Sequence, residues 1–196
     1  FSRVCWNDTG DAIAIADYQH KLHVAKRNGD EWKVLDPVTA HKSNITMVAW
    51  EDENVWTSSY DSHLKKWGID NQLVLLDSEW RRTENAIVRS PDGTFAFGDQ
   101  LHGFSIGRFK ETAVTSTPVV RRIANIVRNP SGTRYAVALR APDYNYDAGE
   151  VFVFSETGKK LATMNGRLTA AFVDDDTLLA AEHENEILQL HLQKDG

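Results

Sequence analysis

The sequence predicts an all-β protein built from repeated sheets, and three observations support this prediction. Four-residue turn segments begin at residues 7, 51, 90, 129 and 173, so they recur every 39 to 44 residues. Each turn follows a short strand-like run and precedes a second run of small or apolar residues. No segment shows the 3.6-residue periodicity of an amphipathic helix. Short strands separated by turns are typical of all-β folds.

The turn spacing divides the chain into five units, approximately 1–40, 41–82, 83–120, 121–166 and 167–196. Each unit has a third strand pattern, and a weaker fourth is visible in several units, as at 32–35, 73–76 and 161–164. Four strands in a period of about 40 to 45 residues predict the four-stranded antiparallel blades of a β-propeller. A β-sandwich is the alternative, but it does not explain the regular turn spacing.

The composition narrows the classes of function. Hydrophobic residues make up 41% of the 196 residues, which is ordinary for a globular protein. The formal net charge of −6 argues against nucleic acid as a direct ligand, because binding to a phosphate backbone needs a basic surface. No apolar stretch approaches the roughly 20 residues that span a bilayer, so we expect no membrane contact. The single cysteine, Cys5, cannot form an internal disulfide, which indicates an intracellular protein of the cytoplasm or nucleus.

The second unit carries the most specific motif. Its first strand pattern is preceded by Ala-His at residues 40–41, Ser59 and Asp61 flank a turn, and Trp67 closes the third strand pattern. This arrangement resembles the WD40 repeat, in which Gly-His, Ser-x-Asp and Trp-Asp occupy these places. The resemblance implies a structural hydrogen-bonded set of His41, Ser59, Asp61 and Trp67, in which Ser59 relays between the imidazole and the indole. A buried carboxylate is tolerated only when it is paired in this way.

All units depart from the motif to some extent. In the second one, Ala40 stands in place of the glycine and Gly68 in place of the final aspartate. The positions that match Ser59, Asp61 and Trp67 hold other residues in the first and fifth units: Asp17, Gln19 and Ala25, and Glu182, Glu184 and Leu190. The resemblance covers nearly the whole chain by period, but only one unit matches strongly. We interpret the Ser, His and Asp of that unit as a structural network and not as a hydrolase triad.

The resemblance also implies a partner-binding face, formed by the second-to-third-strand loops and the connections between units. The fourth unit has an insertion there at 140–150, Tyr60 lies on such a turn with Tyr18 and His63 on comparable ones, and two Arg pairs precede first strands at 81–82 and 121–122. Exposed tyrosines contribute contact area at low entropic cost. The predicted contact residues are Tyr60, Tyr144, Tyr146, Arg140, Arg81 and Arg121. A tolerated surface insertion and solvated arginines are the alternatives.

A metal site is not expected. Asp143, Asn145 and Asp147 alternate like the start of a calcium-binding loop. However, Ala148 stands where that loop needs glycine, and Phe154 stands where it needs its bidentate glutamate.

The leading functional hypothesis is a non-catalytic scaffold that binds other protein chains within a larger assembly, without a cofactor. The alternative is a propeller-fold hydrolase, with acidic residues such as Asp99 and Glu182 at the central channel. Two carboxyl groups at a defined separation would be required for glycosidase chemistry.

We expect the five units to form an incomplete ring or part of a larger propeller. The first strand pattern begins at residue 1, the last unit ends after a third strand near residue 192, and family rings usually hold seven blades. The flanks of the first and last blades are therefore predicted to be covered by another chain or by other segments of a longer polypeptide. Within the sheets, Trp6, Trp50 and Trp67 are predicted core residues.

Overall fold

A computed structural model describes residues 2–80, 86–99, 103–111, 115–117, 123–139, 149–165, 170–181 and 187–192. These residues form twenty β-strands in five antiparallel sheets, and none of them is helical. The prediction of an all-β fold with four-stranded antiparallel sheets is therefore confirmed. Within this part of the chain, no helix is long and apolar enough to cross a membrane.

The first two sheets are meanders, in which the first four strands pair in the order of the chain. The first contains β1 (Arg3–Trp6), β2 (Ala12–Ala16), β3 (Lys21–Asn28) and β4 (Glu31–Val34), with the short β5 (Val38–Thr39) also pairing with β3. The second contains β6 (Ile45–Glu51), β7 (Asn54–Ser59), β8 (His63–Ile69) and β9 (Leu73–Trp80).

The remaining three sheets repeat this order. The third contains β10 (Ala86–Arg89), β11 (Phe95–Asp99), β12 (Gly103–Gly107) and β13 (Thr115–Thr117). The fourth contains β14 (Ile123–Arg128), β15 (Arg134–Leu139), β16 (Glu150–Ser155) and β17 (Lys160–Asn165). The fifth has three strands among the described residues, β18 (Ala170–Phe172), β19 (Thr177–Ala181) and β20 (Ile187–His191). Each sheet lies within one of the five units that the turn spacing delimits.

The recurring turns connect the first and second strands of the sheets. In three of them a glycine with positive φ closes the turn, at Gly10, Gly93 and Gly132. Each of these glycines donates its N–H to the carbonyl three residues earlier, at 3.0–3.2 Å. Side chains with a Cβ rarely adopt this left-handed conformation, which explains why glycine recurs at this place in the repeat.

The chain divides into two compact units, Phe1–Glu84 and Asn85–Gly196. In the first compact unit, Phe1–Glu84, the first two sheets share one hydrophobic core. Small and aliphatic residues of β2 and β3 pack against larger side chains of the second sheet, including Val55 and Trp67. Two hydrogen bonds join the first strands of the two sheets: the Trp50 indole donates to the Cys5 carbonyl at 3.0 Å, and the Arg3 guanidinium donates to the Thr46 carbonyl at 2.7 Å.

The predicted core position of Trp67 is confirmed, and Trp50 packs against the core while partly buried. The prediction for Trp6 is wrong, because 52% of this residue is exposed. Trp6 pairs with Ile13, whereas the neighbouring pair, Cys5 and Ala14, faces the second sheet. Successive side chains of a strand alternate between faces, so Trp6 lies on the opposite face of the first sheet, in edge contact with Trp32.

In the second compact unit, Asn85–Gly196, the fourth sheet is covered on both faces. One face, which includes Tyr135 and Phe154, packs against the third sheet, where Phe104 stacks on Phe154 at 4.7 Å. The other face contributes Ala136, Ala138, Val151 and Val153 to a core shared with the fifth sheet. Face-to-face stacking of antiparallel sheets thus occurs within each compact unit.

Candidate functional site

The second sheet contains a continuous chain of buried polar side chains. The Trp67 indole nitrogen lies 2.8 Å from Thr57 Oγ1, Thr57 Oγ1 lies 2.8 Å from His41 Nε2, and His41 Nδ1 lies 3.0 Å from Asp61 Oδ1. The first three of these residues are buried, and the Asp61 side chain is 10% exposed. These hydrogen bonds join β8, β7, the segment before β6 and the β7–β8 turn.

The chemistry of the four groups sets the direction of the hydrogen bonds. An ionised carboxylate only accepts, so His41 donates from Nδ1 to Asp61. The indole only donates, so Trp67 donates to Thr57, and the Thr57 hydroxyl in turn donates to His41 Nε2. This arrangement requires a neutral imidazole. Burial, partly opposed by the Asp61 charge, lowers the pKa of His41 to about 4, which keeps the ring neutral at physiological pH.

The Asp61 carboxylate is held as an anion by several donors. Burial by itself raises its pKa, but hydrogen bonds from the Lys42 and His63 backbone N–H groups and from His41 outweigh this effect and lower the pKa below its ordinary value. The two backbone donors lie 2.8 and 3.1 Å from the carboxylate oxygens. Asp61 therefore fixes the turn on which it lies and the segment that contains Lys42.

The structure brings His41, Asp61 and Trp67 together but gives Ser59 a different place from the expected relay. The Ser59 hydroxyl donates to the Ser43 carbonyl at 3.0 Å and accepts the Asp61 N–H at 3.1 Å. The strand register explains this. Trp67 pairs with Val55, and Ser59 lies four residues further along β7, about 13 Å at the usual rise of a strand. Thr57 lies on the same face and only two residues from Val55, so its hydroxyl is within reach of the indole.

Thr57 is the residue that sequence reasoning missed. Its position could have been found by counting back from the β7–β8 turn. Ser58 pairs with Leu64 and Thr57 with Lys65, which places Thr57 two residues from Val55, the partner of Trp67. The motif spacing alone does not indicate it, since three consecutive hydroxyl residues occupy positions 57–59.

The segment 40–44 connects two equivalent turns, 17–20 in the first sheet and 59–62 in the second. On one side, the Ala40 and His41 N–H groups donate to the His20 carbonyl at 3.0 and 3.3 Å. On the other side, the Tyr60 N–H donates to the Asn44 carbonyl at 3.1 Å, in addition to the Asp61 contacts already described. The three segments 17–20, 40–44 and 59–62 are named the turn edge below.

The turn edge presents a distinctive set of side chains. Its exposed residues are Tyr18, Gln19, Lys42, Asn44 and Tyr60. Tyr18 is 69% and Tyr60 46% exposed, and each follows the first residue of its turn. Trp80, which is 67% exposed, pairs with His63 next to the second turn. Large exposed aromatics on one rigid edge are typical of protein-contact surfaces.

The turn at 17–20 is anchored by its own first residue. Asp17 Oδ1 accepts the Gln19 and Lys21 N–H groups at 2.8 and 2.9 Å, and Asp17 Oδ2 lies 2.8 Å from His23 Nε2. Burial by itself raises the pKa of Asp17, but the hydrogen bonds from His23, Lys21 and Gln19 outweigh this effect and lower it.

The other predicted site residues lie outside the described residues: Arg81, Arg121, Arg140, Tyr144 and Tyr146. The loop considered for calcium, Glu182 and the side chain of Asp99 lie outside them as well. Within the part of the chain that the structure describes, no three His, Cys, Asp or Glu residues are grouped as metal ligands.

No family model matches this chain.

Proposed function

We propose that the chain is part of a WD40-type β-propeller and acts as a non-catalytic scaffold that binds other protein chains through the turn edge. The observation that carries the proposal is the pair of exposed tyrosines, Tyr18 and Tyr60, held at equivalent turns by one hydrogen-bonded segment.

The fold assignment has two supports. The sheets are antiparallel meanders that stack face to face within each compact unit, as blades do. In addition, the buried network of His41, Thr57, Asp61 and Trp67 occupies one sheet and connects its turn to the preceding sheet.

The binding function is supported by preorganisation. A surface that is already ordered loses little conformational freedom when it associates, so more of its contact energy appears as affinity. The backbone N–H groups of Tyr60 and Lys42 and the side chains of Asp17 and Asp61 are all engaged in holding the two turns. The tyrosine side chains project from this framework as rigid anchors with few rotatable bonds.

Affinity purification of the intact protein, with quantitative mass spectrometry, tests the proposal. Tyr18→Ala/Tyr60→Ala should lose partner proteins that the wild type retains, with an unchanged melting temperature. The matched control is Trp32→Ala, which removes an aromatic of similar exposure, 45%, from another surface of the same unit. Retention of the same partners by the tyrosine variant would contradict the proposal.

A further inference from the structure

Among the described residues, the fifth sheet has three strands, whereas each of the other sheets continues to a fourth. We infer that the outer edge of β20 (Ile187–His191) binds an extended segment of a partner protein as an added strand, and that this segment places a leucine-sized apolar side chain in the groove beside the edge. The inference goes beyond the proposed function and does not depend on it, because the turn edge belongs to the other compact unit.

The outer edge of β20 presents backbone groups that can pair with a further strand. Within the part of the chain that the structure describes, β20 pairs with β19 alone. The Leu192 N–H donates to the Asp176 carbonyl at 2.7 Å, on the β19 side. Because N–H groups alternate in direction along a strand of an antiparallel ladder, those of Gln189 and His191 point away from β19. An added strand would accept these two N–H groups.

The sequence of β20 carries none of the features with which sheet edges usually avoid pairing. The strand contains no lysine and no proline, and its register with β19 is regular. The outer strands of the second and fourth sheets differ from it, because β9 and β17 each contain a charged residue and each pairs with its neighbour through a register shift. A regular edge without such features is a template for strand addition.

A groove of about 440 Å³ lies beside the end of β20. Residues 159–162 of the fourth sheet line one side of it, and residues 190–192 line the other. Ala162, Leu190 and Leu192 all pack against the core between the fourth and fifth sheets, but each of them is only partly buried. The groove therefore opens onto an apolar core.

The second sheet provides a matched case in which the fourth strand is present. Trp67 and Leu190 hold equivalent places, since each pairs with the first residue of its neighbouring second strand that belongs to the core shared with the preceding sheet. Ile69 and Leu192, two residues further along, are equivalent for the same reason.

The burial of these equivalent residues differs. Trp67 and Ile69 are buried, whereas Leu190 and Leu192 are partly buried. Ile69 pairs with Leu73 of the fourth strand β9, and Leu73 is buried in the same core. In the second sheet the fourth strand thus contributes the leucine that completes the core. A partner strand with an apolar side chain opposite Leu192 would do the same in the fifth sheet.

The test uses a labelled synthetic peptide with the sequence of residues 71–80, because it contains β9, the strand that fills this place in the second sheet. Fluorescence anisotropy measures its binding to the full chain, and hydrogen exchange followed by NMR locates it. The peptide should bind, and it should slow exchange of the Gln189 and His191 amides by at least about tenfold. The same peptide with Leu73→Ser should bind at least about tenfold more weakly, because it lacks the buried side chain.

Two glutamine substitutions in β17 give a matched pair of protein variants. Ala162→Gln places a longer, polar side chain in the groove and should weaken binding of the peptide by at least about tenfold. Thr163 is the exposed neighbour, and its side chain lies on the other face because side chains alternate along a strand. Thr163→Gln should therefore change the affinity by less than about twofold. Thermal denaturation checks that both variants remain folded.

Three results would overturn the inference: no binding of the peptide, an affinity that neither Leu73→Ser nor Ala162→Gln changes, or protection of β8 in place of β20. Slow exchange of the Gln189 and His191 amides in the free, dilute chain would also overturn it, because a segment of this chain would then occupy the edge. A dimer in sedimentation experiments without peptide, with these amides protected, would assign the edge to a second copy of the chain and would equally overturn it.

Discussion

The two turns of the turn edge have the same backbone but different anchors. Both place a tyrosine second, and both end on a residue with positive φ, 66° at His20 and 63° at Ser62. The turn at 17–20 is held by Asp17 through contacts within seven residues of sequence, on a partly exposed surface. The turn at 59–62 is held by Asp61, which reaches His41 and, through Thr57, the indole of Trp67.

This difference separates local from long-range stabilisation of one turn geometry. A local anchor exchanges hydrogen bonds with water at little net cost, so its loss is cheap. Inside a buried network water cannot replace a lost hydrogen-bond partner, so removal of one member leaves the others unsatisfied in an apolar environment. Loss of the Asp61 anchor should therefore lower the stability of the whole compact unit more than loss of the Asp17 anchor.

The largest expected effect is a dependence of stability on pH that comes from His41, which contacts the Asp61 anchor of the second turn. Below the ordinary pKa of 6.5, unfolded His41 binds a proton, while the folded residue, with its pKa lowered to about 4, does not. The free energy of unfolding should therefore fall as pH falls from about 6.5 to 4, by about 3 kcal/mol from this residue. Urea titrations across this range, with His41→Gln as control, should show a shallower dependence in the variant. Parallel curves for both proteins would exclude this role of His41.

The next largest effect is expected when the aspartate that anchors each turn is removed. Asp61→Ala should lower the free energy of unfolding by about 1–3 kcal/mol, because the buried His41 loses its acceptor and two backbone N–H groups lose theirs. Asp17→Ala, the matched change in the first turn, should cost less than about 1 kcal/mol, since water replaces the carboxylate. Equal losses, measured by urea denaturation at neutral pH, would remove the distinction between the turns.

The relay is tested by Thr57→Val, which keeps the shape of the side chain and removes its hydroxyl. The Trp67 indole N–H and His41 Nε2 would lose their partner, at a cost of about 1 kcal/mol. Thr39→Val, the same substitution at an exposed position in β5, should change stability by less than about 0.5 kcal/mol. A silent Thr57→Val in thermal and urea denaturation would show that the indole and imidazole do not depend on this hydroxyl.

The smallest effect on stability is expected for the tyrosines themselves. Tyr18→Ala and Tyr60→Ala should each change the free energy of unfolding by less than about 0.5 kcal/mol, because both side chains are exposed. The two values should also agree with each other, since the anchors of both turns remain. A large loss in either variant by calorimetry would identify that tyrosine as structural and not as a contact residue.

The repeat and the strands could be predicted from the sequence because they follow from short-range preferences. Glycine recurs at turn positions with positive φ, such as Gly10 and Gly93, and a short run of small or apolar residues follows each turn. The grouping of His41, Asp61 and Trp67 could also be proposed, from a motif in a single unit. The turns and the strands are determined within a few residues, where steric preference and side-chain type decide the backbone.

Only the tertiary structure decided which hydroxyl joins the indole to the imidazole, which tryptophan is buried, and how the two turns are connected. The choice of Thr57 over Ser59 depends on the register of β7 and β8. The exposure of Trp6 depends on which face of the first sheet packs against the second. The bond from Ala40 to the His20 carbonyl joins residues of different loops. Such contacts depend on strand register and packing between distant segments, to which a local residue pattern is insensitive.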